Sequence, residues 1–154
     1  MAERQMRQTD LENPLALEHQ VCFALAIAAR SVIALYRPVL EPMGLTHPQY
    51  LVMLALWEFE PVSVKDLSGM LQLEPATLSP LLKRLESAGL LRRDRDTRDE
   101  RSLAVSLTEK GRDLRKEALK VPPAIVDRLG MDVGELMQLH ERLTRVIAAA
   151  KEPS

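Results

Sequence analysis

Between Ser63 and Thr108 the hydrophobic period of this chain switches from helical to strand-like, and that switch limits what the chain can fold into. Over 63–71, Val64, Leu67, Met70 and Leu71 share one face of a helix, and over 75–88, Leu78, Leu81, Leu82 and Leu85 recur at three- and four-residue spacing. Over 102–107 the period drops to two: Leu103, Val105 and Leu107 alternate with Ser102, Ala104 and Ser106, as in a half-buried strand. The punctuation agrees. Ser63 with Asp66 makes a capping-box-like start, Gln72-Leu73-Glu74 is a short link, and Pro75 suits a first helical position, where no N–H partner is needed. Ala88-Gly89 closes the second helix with the residue best suited to a left-handed cap.

With Leu78, Leu81, Leu82 and Leu85 turned inward, the outward face of the second helix is centred on Ala76, Ser79, Pro80 and Lys83, with Thr77 and Arg84 beside it. That face is small, hydroxylic and basic, which suits base edges and phosphates in a major groove, although an ordinary solvated face reads the same way. Leu90–Arg95 and Ser102–Leu107 are expected to form a strand pair, and the stretch Arg92 to Arg101 that ends the first and joins it to the second carries five arginines. Such a tip makes a poor core and a good phosphate or minor-groove probe. Helix, helix and arginine-tipped hairpin together predict a winged helix-turn-helix: mainly α, with a small β-wing.

Charge alone does not establish nucleic-acid binding. The net charge is -1 over 154 residues, so any attraction to DNA has to be local, and 83–101 offers Lys83 and six arginines against five acids. A salt-bridged surface loop fits that small excess equally well. The length suits one domain with a real core, mostly aliphatic because aromatics are only 3%. One cysteine excludes internal disulfides and Cys-cluster metal sites, and the three histidines, His19, His47 and His140, lack ligand spacing, so neither metal nor cofactor is expected. The first residues have no signal-peptide core, and the apolar run Cys22 to Ala29 is too short for a bilayer; a cytoplasmic protein is expected.

Around this middle the chain reads as helix. Residues 1–12 are polar; 14–40 is helical, with Asn13 as cap, and apolar over more than one face, which implies a partner helix. A helix over 46–58 turns Tyr50, Leu51, Met53, Leu54 and Trp57 to the core, and Pro61-Val62 can add a short strand beside the wing. Thr108 caps a helix reaching Val121, Pro122-Pro123 should interrupt it, and a second piece runs from Ala124 to Leu129. The last helix starts at Asp132, with Glu135 as return partner, and carries Leu136, Leu139, Leu143, Val146, Ile147 and Ala150 in a near-heptad stripe. Apolar helices at both ends suggest a homodimer whose two reading heads meet an inverted repeat on double-stranded operator DNA.

The wing sequence carries a resemblance. Asp96-Thr97-Arg98-Asp99-Glu100-Arg101 followed by Val105-Ser106-Leu107-Thr108-Glu109-Lys110-Gly111 resembles the wing of MarR-type transcriptional regulators. The resemblance implies a single domain over 1–154, with a DNA-binding core at 47–107 between dimerisation helices at 11–46 and 108–150. It implies that Arg101 enters the minor groove and that Asp99 orients it. The DNA-contacting candidates are then Ala76, Thr77, Ser79, Lys83, Arg84, Arg93, Asp99 and Arg101.

Cys22, read alone, is a small apolar helix residue. Val21-Cys22-Phe23-Ala24-Leu25, Tyr36-Arg37-Pro38, the stretch Gly44 to Met53 and the stretch Thr77 to Leu85 resemble the organic hydroperoxide regulators (OhrR) within that family. The resemblance makes Cys22 a peroxide sensor of the one-cysteine type. A sensor needs a thiolate, and Cys22 lies beyond the helical turn where the dipole helps. Tyr36, fourteen residues on, is about 21 Å away along a straight helix. It can serve Cys22 only from a second subunit, as the resemblance also implies. His47 stands where such regulators carry a second tyrosine, and Ala26 replaces a third. Without another cysteine, oxidised Cys22 should pass to a mixed disulfide with a low-molecular-weight thiol, or overoxidise. Two alternatives stay open: a regulator answering a small ligand or another oxidant such as hypochlorite, with Cys22 structural, and a thiol peroxidase. The second is opposed by the missing resolving cysteine and by a third of the chain given to a DNA reader.

Overall fold

The computed structural model describes residues 14–17, 20–95 and 103–151, and the chain divides into two compact units, Met1–Arg37 and Pro38–Ser154. Asn13, His19 and the wing tip, with Asp99 and Arg101, lie outside the described residues. The first helix, α1 (Val21–Leu40), starts later than its hydrophobic pattern suggests. Pro14 and Leu15 form a turn instead, and the Gln20 side-chain amide donates to the carbonyls of Pro14 and Ala16 at 2.8 and 3.2 Å. Only Leu40 of α1 is buried. The helical stretch Val21–Met43, within which an 18-residue window reaches a mean hydropathy of 1.5, is long and apolar enough to cross a membrane, longer than the run Cys22 to Ala29 indicates, because the apolar pattern continues past Arg30 and Arg37.

A 3-10 turn (Glu41–Met43) closes on Gly44 at φ +69°, the left-handed region in which glycine is unstrained. Helix α2 (His47–Phe59) opens with a full capping box: Thr46 N–H donates to Gln49 Oε1 at 3.0 Å and Gln49 N–H to Thr46 Oγ1 at 3.4 Å. Tyr50 and Met53 are buried as expected, but Val52 and Leu56 complete the buried side in place of Leu51, Leu54 and Trp57; Leu54 is exposed and Leu51 and Trp57 are half-buried.

Strand β1 (Val62–Ser63) leads into α3 (Val64–Leu71), where Ser63 Oγ accepts from Asp66 N–H at 3.0 Å. Gln72 then turns the chain at φ +55°, and α4 (Pro75–Ser87) follows with Pro75 at its start. Strands β2 (Leu91–Arg95) and β3 (Leu103–Leu107) pair antiparallel from Leu91↔Leu107 to Arg95↔Leu103, and β1 adds to β3 at Val62↔Val105, giving the order β1-β3-β2. Leu67, Leu78, Leu82, Leu85, Leu91, Val105 and Leu107 are buried along with Val52, Met53 and Leu56, on elements that pack on one another.

Helix α5 (Glu109–Ala118) is capped by Thr108 Oγ1, which accepts from Gly111 N–H at 3.1 Å. The break expected at Pro122-Pro123 falls earlier, at Leu119-Lys120, and both prolines sit in the first turn of α6 (Val121–Leu129), where a missing N–H costs no helical bond. Helix α7 (Val133–Lys151) has the reciprocal cap expected of Asp132 and Glu135, at 3.0 Å each way, and buries none of its residues. Its apolar stripe is uncovered in the single chain.

Candidate nucleic-acid interface and thiol

The inner side of α4 is anchored by Leu78, Leu82 and Leu85, all in the core, which leaves Ala76, Thr77, Ser79, Pro80, Lys83 and Arg84 exposed together on the other side. The register read from the leucines is therefore the one the fold adopts. A groove of about 380 Å³ lies beside this face and meets it at Ser79; it is lined by Val64, Lys65, Pro75, Ser79, Leu82, Arg93 and Leu103. It brings α3, α4 and both long wing strands to one surface.

Two of its features escape sequence reading. Lys65 stands in the first turn of α3, the wrong end of the helix dipole for a cation, and that misplacement is the signal that could have found it. Arg93 lines the groove but is already engaged. Its Nη2 donates to Glu86 Oε1 at 3.2 Å, its Nε to Glu86 Oε2 at 3.4 Å, and its backbone N–H to Oε2 at 3.2 Å. The guanidinium of Arg93 holds the Glu86 carboxyl below its ordinary value of 4.5. Arg93 thus braces the wing against the C-terminal turn of α4, while Arg92 pairs with Asp94 at 3.1 Å in the open.

The base of the wing is tied to α2 and α5. Trp57 Nε1 donates to the carbonyl of Gly111 at 2.9 Å; Glu60 accepts from Leu107 N–H through Oε2 and from Arg112 Nε through Oε1 at 2.7 Å. Gly111 permits this close approach, because a Cβ there would stand 2.0 Å from the Leu90 carbonyl oxygen. Next to this junction is a second groove of about 450 Å³, lined by Tyr50, Leu54, Trp57, Glu58, Arg115, Ala118, Leu119 and Pro122.

Cys22 is exposed on α1, with Tyr36 on the same helix. Burial raises the Tyr36 phenol above its ordinary 10.0, so at neutral pH it is a protonated hydrogen-bond donor. Burial lowers His47, at the first position of α2, below its ordinary 6.5. The charged imidazole is thereby disfavoured, and the neutral ring keeps one N–H to donate. No cluster of His, Cys, Asp and Glu fit for a metal occurs among the described residues.

An exposed polar-basic helix, a turn into it and a braced two-strand wing define a winged helix-turn-helix DNA-binding protein. The chain belongs to the MarR family: the family model matches residues 45–103, and two regulators align over most of the chain. The HTH-type transcriptional regulator TtmR of Methylorubrum extorquens is 44% identical over 138 residues, covering 90% of this chain and 71% of TtmR. The organic hydroperoxide resistance transcriptional regulator of Bacillus subtilis is 40% identical over 129 residues, covering 84% and 88%. Among solved structures, reduced AbfR bound to DNA superposes with a TM-score of 0.72 at 31% identity, over 99% of this chain and 100% of that one. The chain is accordingly a DNA-binding transcriptional regulator and not an enzyme.

Proposed function

We propose that the protein is a homodimeric, cytoplasmic repressor that binds an inverted repeat in operator DNA and leaves it when an organic hydroperoxide oxidises Cys22. The observation that carries this reading is the exposed thiol on α1, an apolar helix of which only Leu40 is buried. The same need for cover applies to α7. A second copy covers both, and it alone can bring a Tyr36 hydroxyl to Cys22, since a chain's own Tyr36 is about 21 Å up the helix. The Bacillus subtilis relative's name, organic hydroperoxide resistance regulator, supports the choice of oxidant.

In this reading Ala76, Thr77, Ser79, Lys83 and Arg84 face the major groove, and Asp99 sets Arg101 at the minor groove. The Cys22 thiolate attacks the terminal peroxide oxygen; the O–O bond breaks, an S–O bond forms, and the alkoxide leaves as the alcohol after taking a proton. The sulfenic acid then condenses with a low-molecular-weight thiol, releasing water and leaving a mixed disulfide. A larger polar group between packed helices shifts the two reading heads from operator spacing, which needs only a few kcal/mol.

Operator binding measured with and without cumene hydroperoxide, alongside mass spectrometry of Cys22, tests the proposal. Wild type should release DNA as Cys22 gains oxygen or a thiol adduct, and Cys22→Ser should stay bound. A Cys22→Ser protein that responds like wild type overturns it. The groove between Trp57 and Arg115 favours a second reading, a regulator answering a small aromatic anion; release of DNA by such an anion in Cys22→Ser would favour that one.

A further inference from the structure

Pro80 is the sixth residue of α4, inside an uninterrupted helix running Pro75–Ser87. A proline beyond the first turn forfeits a helical hydrogen bond, and its ring crowds the preceding turn. Nothing in the core offsets that cost, because the Pro80 ring is exposed and the packing of α4 is done by Leu78, Leu82 and Leu85. A local rule broken on an exposed surface, without a packing gain, marks a functional position.

The chemistry at that position is specific. Pro80 has no N–H, so the main-chain carbonyl of Ala76, four residues earlier, loses its helical donor. Ala76 and Pro80 lie on the exposed face with Ser79 and Lys83. The helix thus presents an apolar pyrrolidine ring beside a hydrogen-bond acceptor that has no partner in the helix ladder. In the major groove a T·A pair offers the complement, the thymine C5-methyl and the adenine N6 amino donor on one edge; a C·G pair offers a donor without a methyl. We propose that Pro80 and the Ala76 carbonyl form one reading element that selects a T·A pair, the ring against the methyl and the carbonyl accepting from the amino group. The proposal rests on α4 being the recognition helix.

The test starts from duplexes selected by the wild-type protein out of a randomised pool. Each thymine of a selected site is replaced in turn by uracil, and each adenine by purine, which lacks the amino group. Wild type should lose about fourfold in affinity for one lost methyl at a particular thymine, and should lose affinity again when that thymine's partner is purine. Pro80→Ala should be indifferent to both changes, because the ring is gone and the restored N–H takes the Ala76 carbonyl back into the helix. Folding of Pro80→Ala, a better helix former, is checked by circular dichroism and urea. Absence of either sensitivity in wild type, or its persistence in Pro80→Ala, overturns the proposal. If Ser79→Ala and Lys83→Ala also leave affinity and selectivity unchanged, the recognition-helix reading falls with it; if they weaken binding, only the Pro80 element has failed.

Discussion

Glu86, near the end of α4, receives three hydrogen bonds from Arg93 on β2, and so fixes the wing to the helix that faces DNA. Arg93 is 23% exposed and Glu86 39%, so the pair is screened, and its removal should cost only about 0.2–1 kcal/mol in stability. Its larger effect should be on DNA binding. An arginine already committed to a carboxylate releases no counterion from DNA, so Arg93→Ala should leave the slope of log K against log salt unchanged. Lys83→Ala should reduce that slope by about 0.9. Glu86→Gln, which frees the guanidinium, should steepen it. Filter binding at several salt concentrations separates the cases, and a slope lowered by Arg93→Ala would show that Arg93 itself contacts phosphate.

Gly111→Ala should destabilise the winged unit by about 1–3 kcal/mol or more, because the new methyl meets the Leu90 carbonyl oxygen, main chain that cannot swing aside. Urea titration followed by tryptophan fluorescence reads this directly, since Trp57, the single tryptophan, is bonded to the Gly111 carbonyl.

His47 should make stability fall on acidification. Its folded pKa is lowered, so below its ordinary 6.5 the unfolded chain takes the proton first. The contribution is therefore complete above about pH 6.5 and is lost as pH falls toward the folded value. The difference in urea midpoint between wild type and His47→Gln should be flat above that pH and shift against wild type below it. A difference that stays flat throughout would show that burial does not disfavour the charged ring.

Tyr36→Phe should slow Cys22 oxidation about tenfold, the worth of one hydrogen bond to an anion. The arrangement across subunits can be isolated in mixed dimers. A dimer of Cys22→Ser with Tyr36→Phe chains keeps one thiol facing an intact tyrosine and should react at the wild-type rate. A dimer with both changes on one chain leaves its remaining thiol facing phenylalanine and should react slowly. Equal rates in the two dimers would rule out a hydroxyl supplied in trans.

Much of this architecture is legible in the sequence, for physical reasons that differ by element. Leu78, Leu82 and Leu85 set the rotation of α4 because three leucines admit only one inward side, and the exposed face follows. Asp132 with Glu135, and Ser63 with Asp66, mark helix starts through bonds confined to one turn. What depends on distant partners is not legible. The Glu86–Arg93 brace joins residues seven apart in different elements, and the Trp57–Gly111 bond spans fifty-four residues. In α2, Leu54 and Val52 exchange roles because α3, α4, α5 and β3 all pack on that helix, and one hydrophobic period cannot show four neighbours. The first turn of α1 is misread because Leu15 and Leu17 fit the helical period while Gln20 bonds back to close a turn there.

Thr108 is the sole residue between β3 and α5, and it is itself held, its hydroxyl donating to the Gly89 carbonyl while accepting from Gly111. Strand and helix therefore have no slack between them. With Glu60 bonded to Leu107 on one side and Arg112 on the other, they behave as a bent crank whose elbow is clamped. A tilt applied along α5, about 15 Å of helix, should therefore be carried into β3 and through its pairing into β2. Substitutions that loosen the elbow should then produce proteins that still bind their site but no longer hear what happens at the far end.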